Sequence, residues 1–334
     1  MRSCARPRSA ATSTTARTSD IPSPASPAVS RKRKGRDVSG WLCLDKAAGV
    51  TSTQAVASVK RLFGAAKAGH AGTLDPLATG ALPIALGEAT KTVSFVQDGR
   101  KVYRFTVRWG VETDTDDADG TAASTSDQRP EALAIRDLLP AFTGEIMQRP
   151  PAYSAIKIDG HRAYDLAREG APLVLDERPV VVHRLALTET PDRDHAVFET
   201  ECGKGTYVRS LARDVGRALG CLGHVVALRR VAVGPFDVDR AVTLDELIAA
   251  REAGDATALD RFLMPVAMAL TELPEIALGA SDAARIGRGQ PVLLRGNQAP
   301  VAAPAAFASH AGRAIALGDI SEGQFHPTRV FRPG

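Results

Sequence analysis

The sequence has no apolar run long enough to span a bilayer, which predicts a soluble protein. Its 334 residues contain only four cysteines, and no two of them form a Cys-x-x-Cys pair. Because a chain of this length can build its core without disulfides, we expect reduced thiols in a cytoplasmic protein. Cys221 and His224 have the spacing of half a zinc site, but no second half has ligand spacing, so the sequence predicts no metal centre.

Two other ligand-binding motifs are incomplete. Residues 203–205 (GKG) could end a phosphate-binding loop, but such a loop would need glycine in place of Phe198 and Ser or Thr as its last residue. The acidic stretch 113–120 (TDTDDADG) suggests a calcium loop. Its first and last ligand positions, however, fall on Thr115 and Ser126, where Asp and Glu belong. The sequence therefore indicates neither a nucleoside triphosphate nor calcium.

Positive charge is concentrated at the N terminus. The whole chain carries a net charge of +4, but residues 1–36 hold nine Lys or Arg and one acid, a net of +8. The rest holds 33 basic and 37 acidic residues, a net of −4. Because the folded part has no general basic excess, any binding of nucleic acid must depend on local patches.

A single acid stands in the middle of residues 70–80, which read HAGTLDPLATG. Pro76 biases Asp75 toward an extended backbone and removes the next amide donor, so we expect the carboxylate on a stiff turn. An ionised carboxylate is already a nucleophile or base at neutral pH and needs no activating partner. The alternative is a structural Asp-Pro turn, since aspartate is common in turns.

The same run and its continuation at 82–91 (LPIALGEATK) closely resemble the catalytic motif of the TruB family, the bacterial tRNA pseudouridine-55 synthases. The resemblance extends over roughly residues 38–334, with four motif blocks in the family's order. It implies that Asp75 is the catalytic aspartate of an isomerase that converts a uridine in the T arm of tRNA to pseudouridine. No electrons or groups enter or leave in that reaction, so the resemblance implies no cofactor.

A second block, residues 44–52 (LDKAAGVTS), is similar to the family pattern Leu-Asp-Lys-Pro-x-Gly-x-Thr-Ser. Ala47 replaces the usual proline, which makes this turn less stiff. Lys46 has two open interpretations, a contact with an RNA phosphate or a solvated surface lysine. Ser52 is a plausible N-cap for a helix that continues, with helical apolar spacing, up to Gly64.

Residues 101–111 alternate with a period of two and predict a strand that places Tyr103, Phe105, Val107 and Trp109 on one face. By position alone, Tyr103 would be a core residue. The resemblance implies instead that Tyr103 stacks on the target base and accepts the proton that leaves its C5 atom.

A further block, residues 203–209 (GKGTYVR), precedes an amphipathic helix that ends at Gly220. The resemblance implies that Arg209 pairs with Asp75, and a nearby cation favours the charged carboxylate. Arg213 and Arg217 follow at one-turn intervals, and we expect them on a solvated face.

The resemblance also implies three residues that contact the substrate. Tyr207 and Leu228 would line the pocket for the target base. His70 would stack in the RNA loop at the place from which that base was removed. The alternative for His70 is a histidine that is hydrogen-bonded within a turn.

The N-terminal segment, residues 1–36, is rich in Ser, Thr, Ala, Pro and Arg and ends in a basic cluster. We predict a disordered basic tail that adds non-specific attraction to RNA. An organelle transit peptide, a nuclear signal and a start codon assigned too early are the alternatives.

Strands are expected at 180–187 and 196–202, helices at 131–142 and 164–168, and a capping box at Thr243. The alternation predicts an α/β domain with a mixed, largely antiparallel sheet, which the resemblance identifies with the pseudouridine synthase fold. This catalytic domain would span residues 37–270, and residues 271–334 would form a small PUA-like β-barrel that binds RNA.

The resemblance implies tRNA, through its T stem-loop, as the partner, without a membrane or an obligatory protein partner; we expect a monomer. A non-catalytic tRNA-binding or folding module is the main alternative, because extruding a base remodels the T arm even without chemistry. A hydrolase that uses Asp75 is less well supported, because no second acid or histidine stands at motif spacing.

Overall fold

The computed structural model describes residues 35–154, 157–158, 161–162, 175–295 and 300–332. Its α-helices are α1 (Ser52–Leu62), α2 (Val93–Asp98), α3 (Ala132–Leu138), α4 (Val208–Ala218), α5 (Leu244–Glu252) and α6 (Ala280–Gly287). Its strands are β1 (Gly40–Lys46), β2 (Ala68–His70), β3 (Thr79–Leu86), β4 (Lys101–Trp109), β5 (Val111–Thr113), β6 (Ala122–Thr125), β7 (Gly144–Gln148), β8 (Lys157–Ile158), β9 (His161–Arg162), β10 (Arg178–Asp192), β11 (His195–Cys202), β12 (Gly223–Val233), β13 (Phe236–Asp237), β14 (Glu275–Ala277), β15 (Val292–Leu293), β16 (Ala303–His310), β17 (Arg313–Ser321) and β18 (Gln324–Val330).

Nine strands form one sheet, in which seven run in the order β1-β3-β12-β4-β11-β10-β7 while β2 pairs with β3 and β13 with β12. All pairs in this sheet are antiparallel except β3 with β12. The sheet is therefore mixed and largely antiparallel, and the predicted fold class is confirmed.

The centre of the sheet is covered by α4. Phe105, Val107 and Trp109 on one face of β4 are buried in the same core as Leu211 and Val215 of α4. The period of two in the strand and of about 3.6 in the helix produces this shared apolar layer, as the sequence predicts. Burial of each such side chain stabilises the fold by roughly 1.5–3 kcal/mol. The packing places α4 against β12 and β4.

The start of α1 differs from the prediction. Thr51, not Ser52, caps the helix, because its side chain accepts from the Gln54 amide and the Gln54 side chain accepts from the Thr51 amide. Ser52 is 2% exposed, and its hydroxyl accepts a hydrogen bond from the Leu74 amide at 2.8 Å. The Ser52 hydroxyl therefore ties α1 to a distant loop.

Lys46, the last residue of β1, is 1% exposed. Its Nζ donates hydrogen bonds to the carbonyls of Ala47 at 2.9 Å, Val50 at 2.7 Å and Pro76 at 3.2 Å. Burial lowers the pKa of Lys46 to about 8, while the negative charge of Asp75 opposes the change. All three ammonium protons are thus used inside the protein, and the prediction of a solvated surface lysine is wrong.

Five strands after residue 271 form a second sheet in the order β14-β16-β17-β18-β15, consistent with the β-prone texture of this part of the sequence. Its core includes Ile286, Ile320 and Phe325. A further apolar cluster joins Phe307 and Phe331 to Phe95 of α2. The second sheet therefore shares buried contacts with the elements that surround the first.

Two predictions fall wholly or largely outside the described residues, namely the helix at 164–168 and the basic tail up to residue 34. At the end of that tail, Arg36 forms two hydrogen bonds with the Asp260 carboxylate, at 2.5 and 2.8 Å. The predicted capping box at Thr243 is confirmed. Among the described residues, no helix is both long enough and apolar enough to cross a membrane.

We predict that Lys46→Met lowers the free energy of unfolding by roughly 1–3 kcal/mol, because buried carbonyls lose their donor. Urea unfolding measures this change. The exposed Lys60→Met is the matched control and should leave stability unchanged. Since the folded-state pKa of Lys46 is lowered, the unfolded chain binds more protons above pH 8. The stability of the wild type relative to Lys46→Met should therefore rise with pH between about 8 and 10.

The same variant tests the alternative of a phosphate contact. Without such a contact, the salt dependence of RNA affinity stays that of the wild type. If instead the slope of the logarithm of the binding constant against the logarithm of the salt concentration is shallower by about one in Lys46→Met, Lys46 neutralises a phosphate.

Candidate active site

Asp75 lies in a loop between β2 and β3, residues 71–78, which we call the Asp75 loop. Ser52 holds one side of it, since its hydroxyl also donates to the Leu74 carbonyl at 3.1 Å. On the other side, the Ala78 amide donates to the Asp75 carbonyl at 3.1 Å. The expected non-helical turn is present. The carboxylate is 35% exposed, which leaves it accessible to a ligand.

Arg230 of β12 binds the backbone of the Asp75 loop through hydrogen bonds. Where β3 meets β12, Arg230 pairs with Gly80, and a Cβ at Gly80 would lie 2.2 Å from the Arg230 carbonyl oxygen. Only glycine permits this approach. The Arg230 guanidinium is buried and donates to the carbonyls of Gly72 at 3.0 Å, Thr73 at 3.3 Å and Ala81 at 2.8 Å. The loop backbone is therefore fixed on a buried cation.

Arg209 reaches the Asp75 loop from the first turn of α4. Its Nε lies 2.9 Å from Oδ2 of Asp75, and the side chain of Arg209 is 5% exposed. The N–H bond is not aligned with the carboxylate, so the contact is an ion pair more than a hydrogen bond. The ion pair expected between these two residues is thus present.

The other nitrogens of Arg209 contact two more segments. Nη1 donates to the Thr115 carbonyl at 2.8 Å and lies 3.3 Å from Oδ2 of Asp117, while Nη2 donates to the Tyr153 carbonyl at 3.0 Å. One guanidinium therefore joins the Asp75 loop, the acidic stretch 113–120 and the segment before β8.

Asp117 is a site residue that the sequence analysis did not single out. It is 4% exposed and accepts hydrogen bonds from the Thr115 hydroxyl at 2.5 Å and the Asp119 amide at 3.1 Å. Burial raises the pKa of Asp117, while the Thr115 hydrogen bond and the Arg209 charge oppose this shift. The sequence analysis rejected a calcium loop for the acidic stretch that carries Asp117 but did not use its acids, which are the signal that could have identified a partner for a buried arginine.

Arg213 corrects a second expectation, since it is 6% exposed and not on a solvated face. It donates to Asp116 at 2.8 Å and to the Arg149 carbonyl at 2.8 Å. Burial raises the pKa of Asp116 to about 6, and the charge of Arg213 acts in the opposite direction. Arg217 does lie on an exposed face, where it pairs with Glu112. The Arg213–Asp116 pair holds the acidic stretch on α4, and the Arg217–Glu112 pair joins α4 to β5.

A cavity of about 320 Å³ opens beside the Asp75–Arg209 pair. This volume lies at the lower end of the range for ligand pockets, roughly 300–1,000 Å³. Five residues predicted for the site line this cavity, and Ser154 lines it as well. These six are Asp75, Tyr103, Ser154, Tyr207, Arg209 and Leu228. The structure thus brings together five of the seven residues predicted from the sequence.

Tyr103 and Arg230 are cross-strand neighbours, because they pair directly between β4 and β12 and so point to the same face. Burial raises the pKa of the Tyr103 phenol, and the charge and hydrogen bond of Arg230 oppose this rise. Tyr207 is held at the cavity through its backbone, which exchanges hydrogen bonds of 2.8 and 3.1 Å with the Gln148 side chain. The Arg178 guanidinium lies over the Tyr207 ring, 5.4 Å from its centroid.

The two remaining predicted residues do not line the cavity. His70 ends β2 just before the Asp75 loop and is partly buried. Burial, followed by the charge of Arg230, lowers the pKa of His70, so the imidazole is neutral at neutral pH. Lys46 lies beneath the loop, where it contacts Pro76.

Within the described parts of the chain, no group of three or more His, Cys, Asp or Glu side chains is arranged to hold a metal ion. The cavity is instead lined by one exposed carboxylate, buried guanidinium groups and aromatic rings. Such a site can act by proton transfer or nucleophilic attack on a planar ligand that stacks between its walls.

Two family models match the chain. The N-terminal domain of TruB family pseudouridylate synthases matches residues 60–208, and the tRNA pseudouridylate synthase B C-terminal domain matches residues 209–271. The tRNA pseudouridine synthase B of Nitrobacter winogradskyi is 58% identical over 302 residues, which cover 90% of this chain and 84% of that protein. That of Agrobacterium fabrum is 56% identical over 305 residues, covering 90% and 97%.

Solved structures agree with these sequence matches. A chain in the crystal structure of the archaeal box H/ACA sRNP Nop10-Cbf5 complex superposes with a TM-score of 0.67 at 26% identity, covering 88% of this chain and 86% of that one. The matched sequence blocks include the Asp75 loop and the start of α4, whose side chains meet at the cavity. The chain therefore belongs to the TruB family of pseudouridylate synthases.

Proposed function

We propose that the chain isomerises a uridine in the T arm of tRNA to pseudouridine, with Asp75 as the group that acts on the ribose. Pseudouridine synthesis on tRNA follows from the family and from its curated members. The position in the T arm and the role of each residue are our proposal. The observation that supports these roles best is the pairing of a partly exposed Asp75 with a buried Arg209 at the edge of a cavity.

The reaction breaks the bond from C1′ to N1, turns the base and forms a bond from C1′ to C5. C5 loses a proton and N1 gains one, so the atoms balance without a cofactor. Arg209 orients the Asp75 carboxylate, and Asp117 also contacts the Arg209 guanidinium. The carboxylate either attacks the sugar or removes one of its protons, and both steps require the ionised form.

Tyr103 has two proposed roles in this scheme. Its ring stacks on the extruded base in the cavity that Tyr103 and Leu228 both line, and its phenol oxygen accepts the C5 proton. A raised pKa means that the phenol holds its own proton at neutral pH, and Arg230 favours the phenolate that must form. Proton transfer through Tyr103 should therefore depend on pH.

The other contacts of the tRNA are assigned by the same proposal. Tyr207 and Leu228 enclose the base. His70, just before the Asp75 loop, fills the gap that the extruded base leaves in the RNA. Because the ammonium of Lys46 is buried, we propose that it supports the Asp75 loop and does not contact a phosphate. Residues 271–334 would form the PUA-like module that binds RNA outside the T loop.

We further propose that the protein works as a monomer in the cytoplasm. Cys43, Cys202 and Cys221 are buried free thiols, as expected in a reducing compartment. Burial raises the pKa of Cys202 and of Cys221 to about 11, so both remain protonated and unreactive.

We predict that Asp75→Asn folds, binds a T-arm RNA with wild-type affinity and forms no detectable pseudouridine. The substitution removes the charge but keeps the shape of the side chain. Carbodiimide labelling or mass spectrometry of an unmodified tRNA transcript measures the product. Asp137→Asn, an exposed change of the same charge on α3, is the control and should remain fully active.

The same assay separates the alternatives. Tight binding by the wild-type protein without product would identify a non-catalytic tRNA module. Release of free uracil would identify a hydrolase. Near-normal product from Asp75→Asn would remove this residue from the chemistry.

We predict that Tyr103→Phe binds RNA normally but lowers the single-turnover rate by about 10²-fold or more, the usual range for a lost general base. Because the phenolate is the active form, the wild-type rate should rise by up to about tenfold per pH unit while proton transfer limits turnover. The variant should show no such rise. Identical single-turnover rates for the two proteins would exclude a proton-transfer role.

A further inference from the structure

Ser154 carries a buried hydroxyl that has no hydrogen-bond partner in the described structure. The residue is 3% exposed, its Oγ is unsatisfied, and it lines the active-site cavity. Two other buried hydroxyl groups are satisfied: that of Ser210 donates to the Arg149 carbonyl at 2.9 Å, and that of Thr200 to the Arg184 carbonyl at 2.9 Å. An unpaired buried hydroxyl destabilises a fold, so its presence at a cavity points to a partner supplied by a ligand.

The Thr206 hydroxyl, which also belongs to a residue that lines the cavity, differs from that of Ser154 because it has a polar neighbour within the protein. Thr206 Oγ1 is also buried without an aligned partner, but it neighbours the Cys202 thiol and opposes the rise that burial causes in the pKa of that thiol. Its polar atom thus has a neighbour within the protein. Ser154 is the stronger candidate for a ligand contact.

The position of Ser154 follows from the hydrogen bonds of Arg209. Nε of Arg209 faces Asp75 at 2.9 Å, and Nη2 donates to the Tyr153 carbonyl at 3.0 Å. One guanidinium therefore contacts both the Asp75 carboxylate and the Tyr153 carbonyl. Ser154, the next residue after Tyr153, lines the same cavity as Asp75.

The chain leading to Ser154 is rigid. Pro150 and Pro151 restrict the backbone just before it. The Arg149 carbonyl accepts hydrogen bonds from the Ser210 hydroxyl at 2.9 Å and from Arg213 at 2.8 Å, which attaches this segment to α4. A hydroxyl held in this way is positioned before the substrate arrives.

We propose that Ser154 is a substrate-binding residue whose hydroxyl hydrogen-bonds the 2′-hydroxyl of the target nucleotide. Both groups can donate and accept, and the 2′-hydroxyl is the feature by which a protein distinguishes RNA from DNA at a single nucleotide. The contact orients the ribose against Asp75 and selects a ribonucleotide. It rests on the proposed function, since the nucleotide must enter this cavity.

The first test compares Ser154→Ala with the matched control Ser210→Ala. Removal of an unsatisfied hydroxyl should leave the melting temperature unchanged or raise it, whereas Ser210→Ala removes a made hydrogen bond and should lower it. On wild-type RNA, Ser154→Ala should lose about three- to tenfold in kcat/KM. A melting temperature that falls as far as in Ser210→Ala would show a structural role and overturn the proposal.

The second test is a binding cycle in the Asp75→Asn background, which prevents turnover. T-arm hairpins with uridine or 2′-deoxyuridine at the target position are titrated against this protein with and without Ser154→Ala. The serine change should weaken binding of the uridine hairpin by about three- to tenfold and leave the deoxyuridine hairpin within about twofold. Equal losses on both hairpins, or no loss on either, would overturn the assignment to the 2′-hydroxyl.

The two proposals fail in different ways. If the wild-type protein makes no pseudouridine, the proposed function fails. If the wild type is active and Ser154→Ala matches it in kcat/KM and in both affinities, only the role of Ser154 fails.

Discussion

The ion pair between Asp75 and Arg209 is the interaction on which the site depends. Arg209 is buried, and a buried cation destabilises a fold unless its donors are matched. Its partners come from three separate segments, which carry Asp75, Asp117 and Tyr153. Because none of these segments can move away without leaving the charge unmatched, the pair specifies how the loops meet. Its contribution lies in that arrangement more than in net stability.

A second buried cation gives the cavity its electrostatic character. Arg230 forms no ion pair within the described residues, and its donors go to backbone carbonyls of the Asp75 loop and β3. Its positive charge adds to the effect of burial in lowering the pKa values of His70 and Lys46, and it opposes the rise that burial causes in the pKa of Tyr103. The floor of the cavity is therefore positive, which favours an anionic base or a phenolate during catalysis. The Asp75 carboxylate lines the same cavity as Arg230 and is still partly exposed to solvent.

Residues with a contiguous motif or a simple period could be predicted from the sequence. Asp75 was singled out because the complete run around it resembles the TruB motif, and the β4 and α4 faces were found from their apolar spacing. The expectation for Arg213 and the solvated alternative for Lys46 were wrong, because a charged side chain on a helical stripe or at a strand end is usually exposed. Whether such a side chain is buried depends on partners far along the chain, and for Arg213 the partner is Asp116, 97 residues away.

The sequence by itself determined the family, the mixed α/β fold class and the turn that presents Asp75, since each depends on local residue order. Only the tertiary structure decided which charges meet. It placed Asp117 on Arg209, assigned Arg230 to the Asp75 loop and left the Ser154 hydroxyl unpaired at the cavity. The physical reason is that desolvation makes buried polar groups depend on matched partners, and those partners come from strands and loops that the sequence does not show to be neighbours.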